Sequence, residues 1–143
     1  MTINFKHKVN FNTMNKVDKD ILKSMTMFKC TDDYTLYSEF CFLPDFIGFQ
    51  GHFEKKPIVP GICLLETVKI VLQKHLKCTV VISEIKVAKF FSPIGPSEKI
   101  SVKLKSEKAI NLSEEDSEII IKTEIKKHEK KAASFILKLK RFN

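Results

Sequence analysis

Apolar and polar residues alternate with a period of two in four runs of the second half of this chain: Thr79 to Phe91, Glu98 to Lys108, Ser117 to Lys127 and Ala132 to Phe142. The alternation is clean where Ile100, Val102 and Leu104 interleave with Ser101, Lys103 and Lys105, and again where Phe135, Leu137 and Leu139 interleave with Ile136, Lys138 and Lys140. Side chains of a strand point to opposite faces in turn, so each run predicts a strand with one buried and one wet face. Turns are predicted at Ser92 to Ser97, Asn111 to Asp116 and His128 to Lys131. Upstream, Thr26 to Phe42 reads as a hairpin turning at Asp32 and Asp33, with Leu36, Ser38, Phe40 and Phe42 on one face and Tyr37, Glu39 and Cys41 on the other. Met1 to Asn12 fits a peripheral strand, and Lys16 to Met25 a short helix with Val17, Ile21 and Leu22 inward.

One segment breaks the period of two. Ile62 to Leu72 is apolar nearly all round, as a helix enclosed on every side must be, and basic residues near Lys77 mark its end. Pro57, Pro60 and Gly61 turn the chain into it. A strongly apolar helix among antiparallel strands packs best with the sheet curved around it. The expected class is α+β, a curved antiparallel sheet wrapped around one long central helix, in a single domain spanning 1–143.

Composition narrows the partners. The net charge is +8, yet every one of the 25 basic residues except Arg141 is Lys. Base and phosphate reading leans on the Arg fork, so a solvated Lys surface or attraction to an acidic partner is expected, and no nucleic acid. With no long apolar run and a polar start, a cytoplasmic protein that does not enter membranes is expected. Cys30, Cys41, Cys63 and Cys78 lack metal-ligand spacing and are expected as reduced core residues. The acidic run Glu114, Glu115, Asp116 lacks a calcium-loop spacing, and His7, His75 and His128 are expected in solvent.

The candidate chemistry lies in Gly51 to Leu72, where the apolar helix carries Glu66 and His52 precedes the turn. An unpaired buried carboxyl costs several kcal/mol, so Glu66 needs a reason. One is structural: Lys69, at i+3, pairs with it and keeps it ionised. The other is catalytic: burial keeps it protonated, ready to donate.

The segment Phe49, Gln50, Gly51, His52, Phe53, followed by Pro57, Ile58, Val59, Pro60, Gly61 and Glu66, resembles the signature of FabZ-type 3-hydroxyacyl-[acyl carrier protein] dehydratases. Lys89, Phe90, Pro93, Ile94 and Pro96 resemble a second segment of that family. The chain differs from the pattern at Glu54 and Lys55, Thr67, Ile70, and Phe91 and Ser92, and lacks the family's N-terminal Pro, His, Arg, Tyr, Pro run, as in a short, divergent member. The resemblance implies a hotdog fold and loss of water from a (3R)-hydroxyacyl thioester to give the trans-2-enoyl thioester, in fatty-acid-type synthesis. It assigns His52 as base, Glu66 as acid and the Gly61 backbone N–H as clamp for the thioester carbonyl, with Phe53, Pro60 and Ile62 against the substrate. Glu in place of Asp at 66 points to dehydration without isomerisation. The resemblance further implies no metal or bound cofactor, an acyl carrier protein as partner, and a homodimer, or a trimer of such dimers, in which His52 of one subunit faces Glu66 of the other. Two other activities suit the same residues: thioester hydrolysis with Glu66 activating water, and non-catalytic binding of an acyl carrier.

Overall fold

A computed structural model describes residues 14–51, 55–112 and 117–142. The expected strand at Met1 to Asn12 and the acidic run at 114–116 lie outside the described residues, as does His7. Helix α1 (Lys16–Lys23) is followed by β1 (Met25–Asp32) and β2 (Thr35–Cys41), a 3-10 turn at Ile47–Phe49, α2 (Gly61–Leu76), β3 (Val80–Phe90), β4 (Lys99–Lys105), β5 (Glu118–Lys127) and β6 (Lys130–Arg141). The six strands form one sheet in the order β1-β2-β4-β5-β6-β3, antiparallel throughout.

The inward face of the sheet is the one that the alternation marks. Leu36 and Phe40 of β2, Val102 and Leu104 of β4, Ile121 and Ile125 of β5, and Leu137 and Leu139 of β6 are all buried, as are Val68, Val71 and Leu72 of α2. Each such aliphatic or aromatic side chain contributes about 1.5–3 kcal/mol relative to exposure. Helix α2 is buried continuously from Cys63 to Gln73, so it has no amphipathic stripe. Its end is set by Lys77, whose left-handed backbone (φ 56°) returns an N–H to the Gln73 carbonyl at 2.8 Å. The β5–β6 turn is tighter than expected: His128 and Glu129 both have positive φ, the backbone of a two-residue hairpin, and β6 already begins at Lys130.

The α+β class and the hairpin agree with the pattern, and the short helix expected at Lys16 to Met25 is α1. Helix α1 packs on α2 and presents Ile21 and, against expectation, Asp18 inward, while Leu22 is exposed. The cysteines also depart from expectation. Only Cys63 is buried; Cys41 and Cys78 are half-buried and Cys30 is exposed, because Cys30 and Cys41 fall on the outward phase of their strands.

Candidate active site

The approach to the site is braced from α1. Asp20 accepts the Ile47 N–H at 2.9 Å, pinning the 3-10 turn, and Phe42, Phe46 and Phe49 stack in sequence behind it, with ring centroids 4.7 and 5.4 Å apart. Gly51, with φ 75°, turns the chain immediately afterwards. His52 and Phe53 lie outside the described residues, so the expected base and its neighbour have no described position.

The two segments with family-like motifs meet. The Val59 N–H donates to the Ile94 carbonyl at 2.8 Å, holding the turn before α2 against the loop after β3. Pro60 is the residue before the helix and supplies no side-chain cap. The first-turn N–H groups of an α-helix have no intrahelical partner, and Gly61 opens α2 at the positive end of its dipole. A Cβ on Gly61 would stand 2.9 Å from Cζ of Phe90, so glycine is what lets that ring lie over the helix start. Ile62 and Phe90 are both about half exposed, and with Phe91 and Leu43 they are among the largest exposed apolar side chains.

Further along α2, Glu66 is 7% exposed and Lys69 only 1%. The Lys69 ammonium lies directly against Glu66 Oε2, a buried oxygen. The same ammonium also donates to Asp18 Oδ2 of α1, at 3.1 Å, and Asp18 is itself 1% exposed. Burial pushes the Glu66 carboxyl above its ordinary range, Lys69 pulls it down, and the Asp18 charge pushes it up again; burial prevails and Glu66 is raised. Cys63, one turn earlier, is pushed up to about 11 by burial and by the charges of Glu66 and Asp18, which keeps it a thiol. Lys69 thus contacts Glu66, and the carboxyl is nevertheless raised.

Of the residues expected at the site, the structure describes Glu66, Pro60, Gly61 and Ile62. Asp18 was missed, since no local pattern marks it. No cluster of metal-ligating side chains occurs among the described residues, and no helix is long and apolar enough to cross a membrane. Cavities of about 520 and 420 Å³ lie on the outer face of the sheet, both lined by Lys105 and Lys122 and neither by any residue of α2.

No curated protein sequence matches the chain. Among solved structures, the dehydratase heterocomplex ApeI:P from Xenorhabdus doucetiae superposes with a TM-score of 0.67 at 19% identity, over 82% of this chain and 96% of that one. The PaaI protein of the E. coli phenylacetic acid degradation operon gives 0.58 at 14%, over 80% and 81%. An acyl-CoA hydrolase from Staphylococcus aureus gives 0.51 at 15%, over 78% and 65%. Likeness at these identities establishes the fold, the hotdog, which serves both dehydratases and hydrolases. The finer family comes from the sequence itself: the model of the ApeI-like dehydratases, rather than one of the FabZ type, matches residues 29–134, a span containing the buried Glu66, the Gly61 helix start and the Phe90 segment, and by that match the chain belongs to the ApeI-like dehydratase family.

Proposed function

We propose that the protein is a 3-hydroxyacyl thioester dehydratase. The observation that carries the reading is Glu66: a carboxyl raised by burial in the central helix of a chain of a dehydratase family. A protonated carboxyl in that state donates to a departing hydroxyl. In the reaction, His52 removes the proton from C2 of the substrate, the electron pair forms the C2–C3 double bond, and the C3–O bond breaks as Glu66 protonates the hydroxyl, which leaves as water. The Gly61 N–H holds the negative charge that builds on the thioester carbonyl. Phe53, Pro60 and Ile62 flank the acyl chain, joined by Phe90, whose ring covers the helix start.

The substrate of this reading is a (3R)-hydroxyacyl group on the phosphopantetheine arm of an acyl carrier protein, and the product is the trans-2-enoyl thioester of fatty-acid-type synthesis in the cytoplasm. No metal or cofactor enters. The half-exposed Ile62, Phe90, Phe91 and Leu43 favour a paired assembly, a homodimer or a trimer of dimers, in which His52 reaches Glu66 of the neighbouring subunit.

Thioester hydrolysis is the second reading, favoured by the Lys69 contact, which stabilises the ionised Glu66 that would activate water. One assay separates the two: a 3-hydroxyacyl carrier thioester is incubated with the protein while enoyl absorbance and free thiol are followed together. Enoyl product that disappears in His52→Ala and Glu66→Gln supports dehydration. Free thiol without enoyl product supports hydrolysis, and tight binding with neither product indicates a non-catalytic acyl-carrier-binding protein.

A further inference from the structure

Asp18, Lys69 and Glu66 form a buried group of two carboxyls and one ammonium. One cation cannot neutralise two carboxylates, and burying the surplus negative charge is costly, so this environment favours taking up one proton. Geometry decides where it goes. Asp18 Oδ2 receives the Lys69 hydrogen bond, and Asp18 sits in the first turn of α1, where the helix dipole favours negative charge. Glu66 shares the same ammonium but sits beyond the first turn of α2, without a helix start beside it. The other titratable group beside Glu66 among the described residues is Cys63, held as a thiol.

We propose that Asp18 is a positioning residue: by sharing the Lys69 ammonium and placing its own charge beside it, it prevents Lys69 from becoming the full counter-ion of Glu66 and leaves Glu66 as the proton carrier of the group. Asp18 precedes the span 29–134 matched by the family model, so this control is supplied from a helix outside that span. The inference deepens the dehydratase reading and rests on it for its catalytic consequence alone. The arrangement explains why a lysine one turn from the acid is compatible with an acid. Without Asp18, the ammonium would turn wholly to Glu66 and ionise it. Without both Asp18 and Lys69, Glu66 would again be a buried carboxyl with no cation.

The test reads Glu66 directly. In the full-length protein carrying ¹³C-labelled glutamate side chains, the Glu66 carboxyl signal is assigned by its loss in Glu66→Gln and titrated without substrate. Asp18→Asn is expected to lower the Glu66 midpoint by about one unit or more, Asp18→Glu to keep it near wild type, and Asp18→Asn with Lys69→Met to restore it. Under the dehydratase reading, the alkaline limb of kcat moves with the midpoint, so turnover near neutrality falls about tenfold or more in Asp18→Asn and recovers in the double variant. An unchanged midpoint in Asp18→Asn, or a lowered one that Lys69→Met does not restore, overturns the proposal. If Asp18→Asn does not fold, Lys69→Met alone decides: its Glu66 midpoint must rise above wild type, and one that stays put overturns the proposal. Because the titration needs no turnover, absence of enoyl product would sink the dehydratase reading while leaving the titration result intact.

Discussion

Lysine has opposite meanings on the two faces of the sheet. Inside, a single Lys69 is 1% exposed and held by two carboxyls contributed by two different helices. Outside, Lys105 of β4 and Lys122 of β5 stand directly opposite one another in the ladder, both exposed, with no salt bridge to a carboxylate among the described residues. The inner lysine is fixed because an unpaired buried charge is costly; the outer ones are tolerated because water and salt screen them. The net charge of +8 therefore says little about the chemistry: its surplus resides where charges are weakly coupled, while the one cation beside Glu66 is shared by two carboxyls.

The sharpest way to break this contrast is at the acid. Glu66→Gln keeps the shape and removes the titration, and is expected to cut dehydration by about 10²–10⁴-fold, measured as enoyl formation. Wild-type activity is expected to fall as pH rises through the raised Glu66 midpoint. The stability contribution has the same sign: a carboxyl raised on folding contributes fully below its unfolded value and loses that contribution as pH rises through the folded one. Lys69→Ala comes next. It strands Asp18 beside Glu66 with no cation and is expected to cost about 3–5 kcal/mol in urea unfolding at neutral pH, and less in acid, where the carboxyls take up protons. A loss below 1 kcal/mol would place Lys69 with the surface lysines and erase the contrast.

Gly61→Ala is a smaller perturbation. Its Cβ would meet Cζ of Phe90 at 2.9 Å, but that atom is the far end of a half-exposed side chain resting on Phe135, so a loss of about 1 kcal/mol is expected, at the low end for overpacking. Phe90→Ala in the same chain should abolish the loss. Smallest of all, Lys105→Gln relieves a like-charge cross-strand pair and is expected to leave stability within about 0.5 kcal/mol of wild type, with any change being a gain that shrinks as salt is added.

Strands β2, β4, β5 and β6 were legible because each has one wet face, so that Lys103 and Lys105 mark the phase of Val102 and Leu104. Helix α2 was legible for the opposite reason, having no wet face at all. Strand order was not, since nothing local tells β6 that it will lie between β5 and β3. The site divides in the same way. The burial of Glu66 and its contact with Lys69 follow from neighbours on one helix. Asp18 was hidden because it lies between Val17 and Lys19 in an eight-residue helix that looks solvent-facing there, and its burial is decided by a side chain fifty-one positions away. Leu22 and Cys30 mislead similarly: their hydrophobicity argued for the interior, but the phase of their elements carries them outward.

The place of β3 in the sheet bears on how the protein reaches its native state. Among the described residues this strand has only β6 as a neighbour, and their ladder joins Val80 to Arg141 and Phe90 to Ala133. Two hairpins can close locally, β1 with β2 and β5 with β6, but β3 has nothing to add onto until β6 is in place. Because such long-range closure is entropically slow, β3 should be the last strand to acquire amide protection during refolding. Until then α2, which leads directly into it, is covered by the rest of the sheet alone, and the acid it carries is not yet sealed from water.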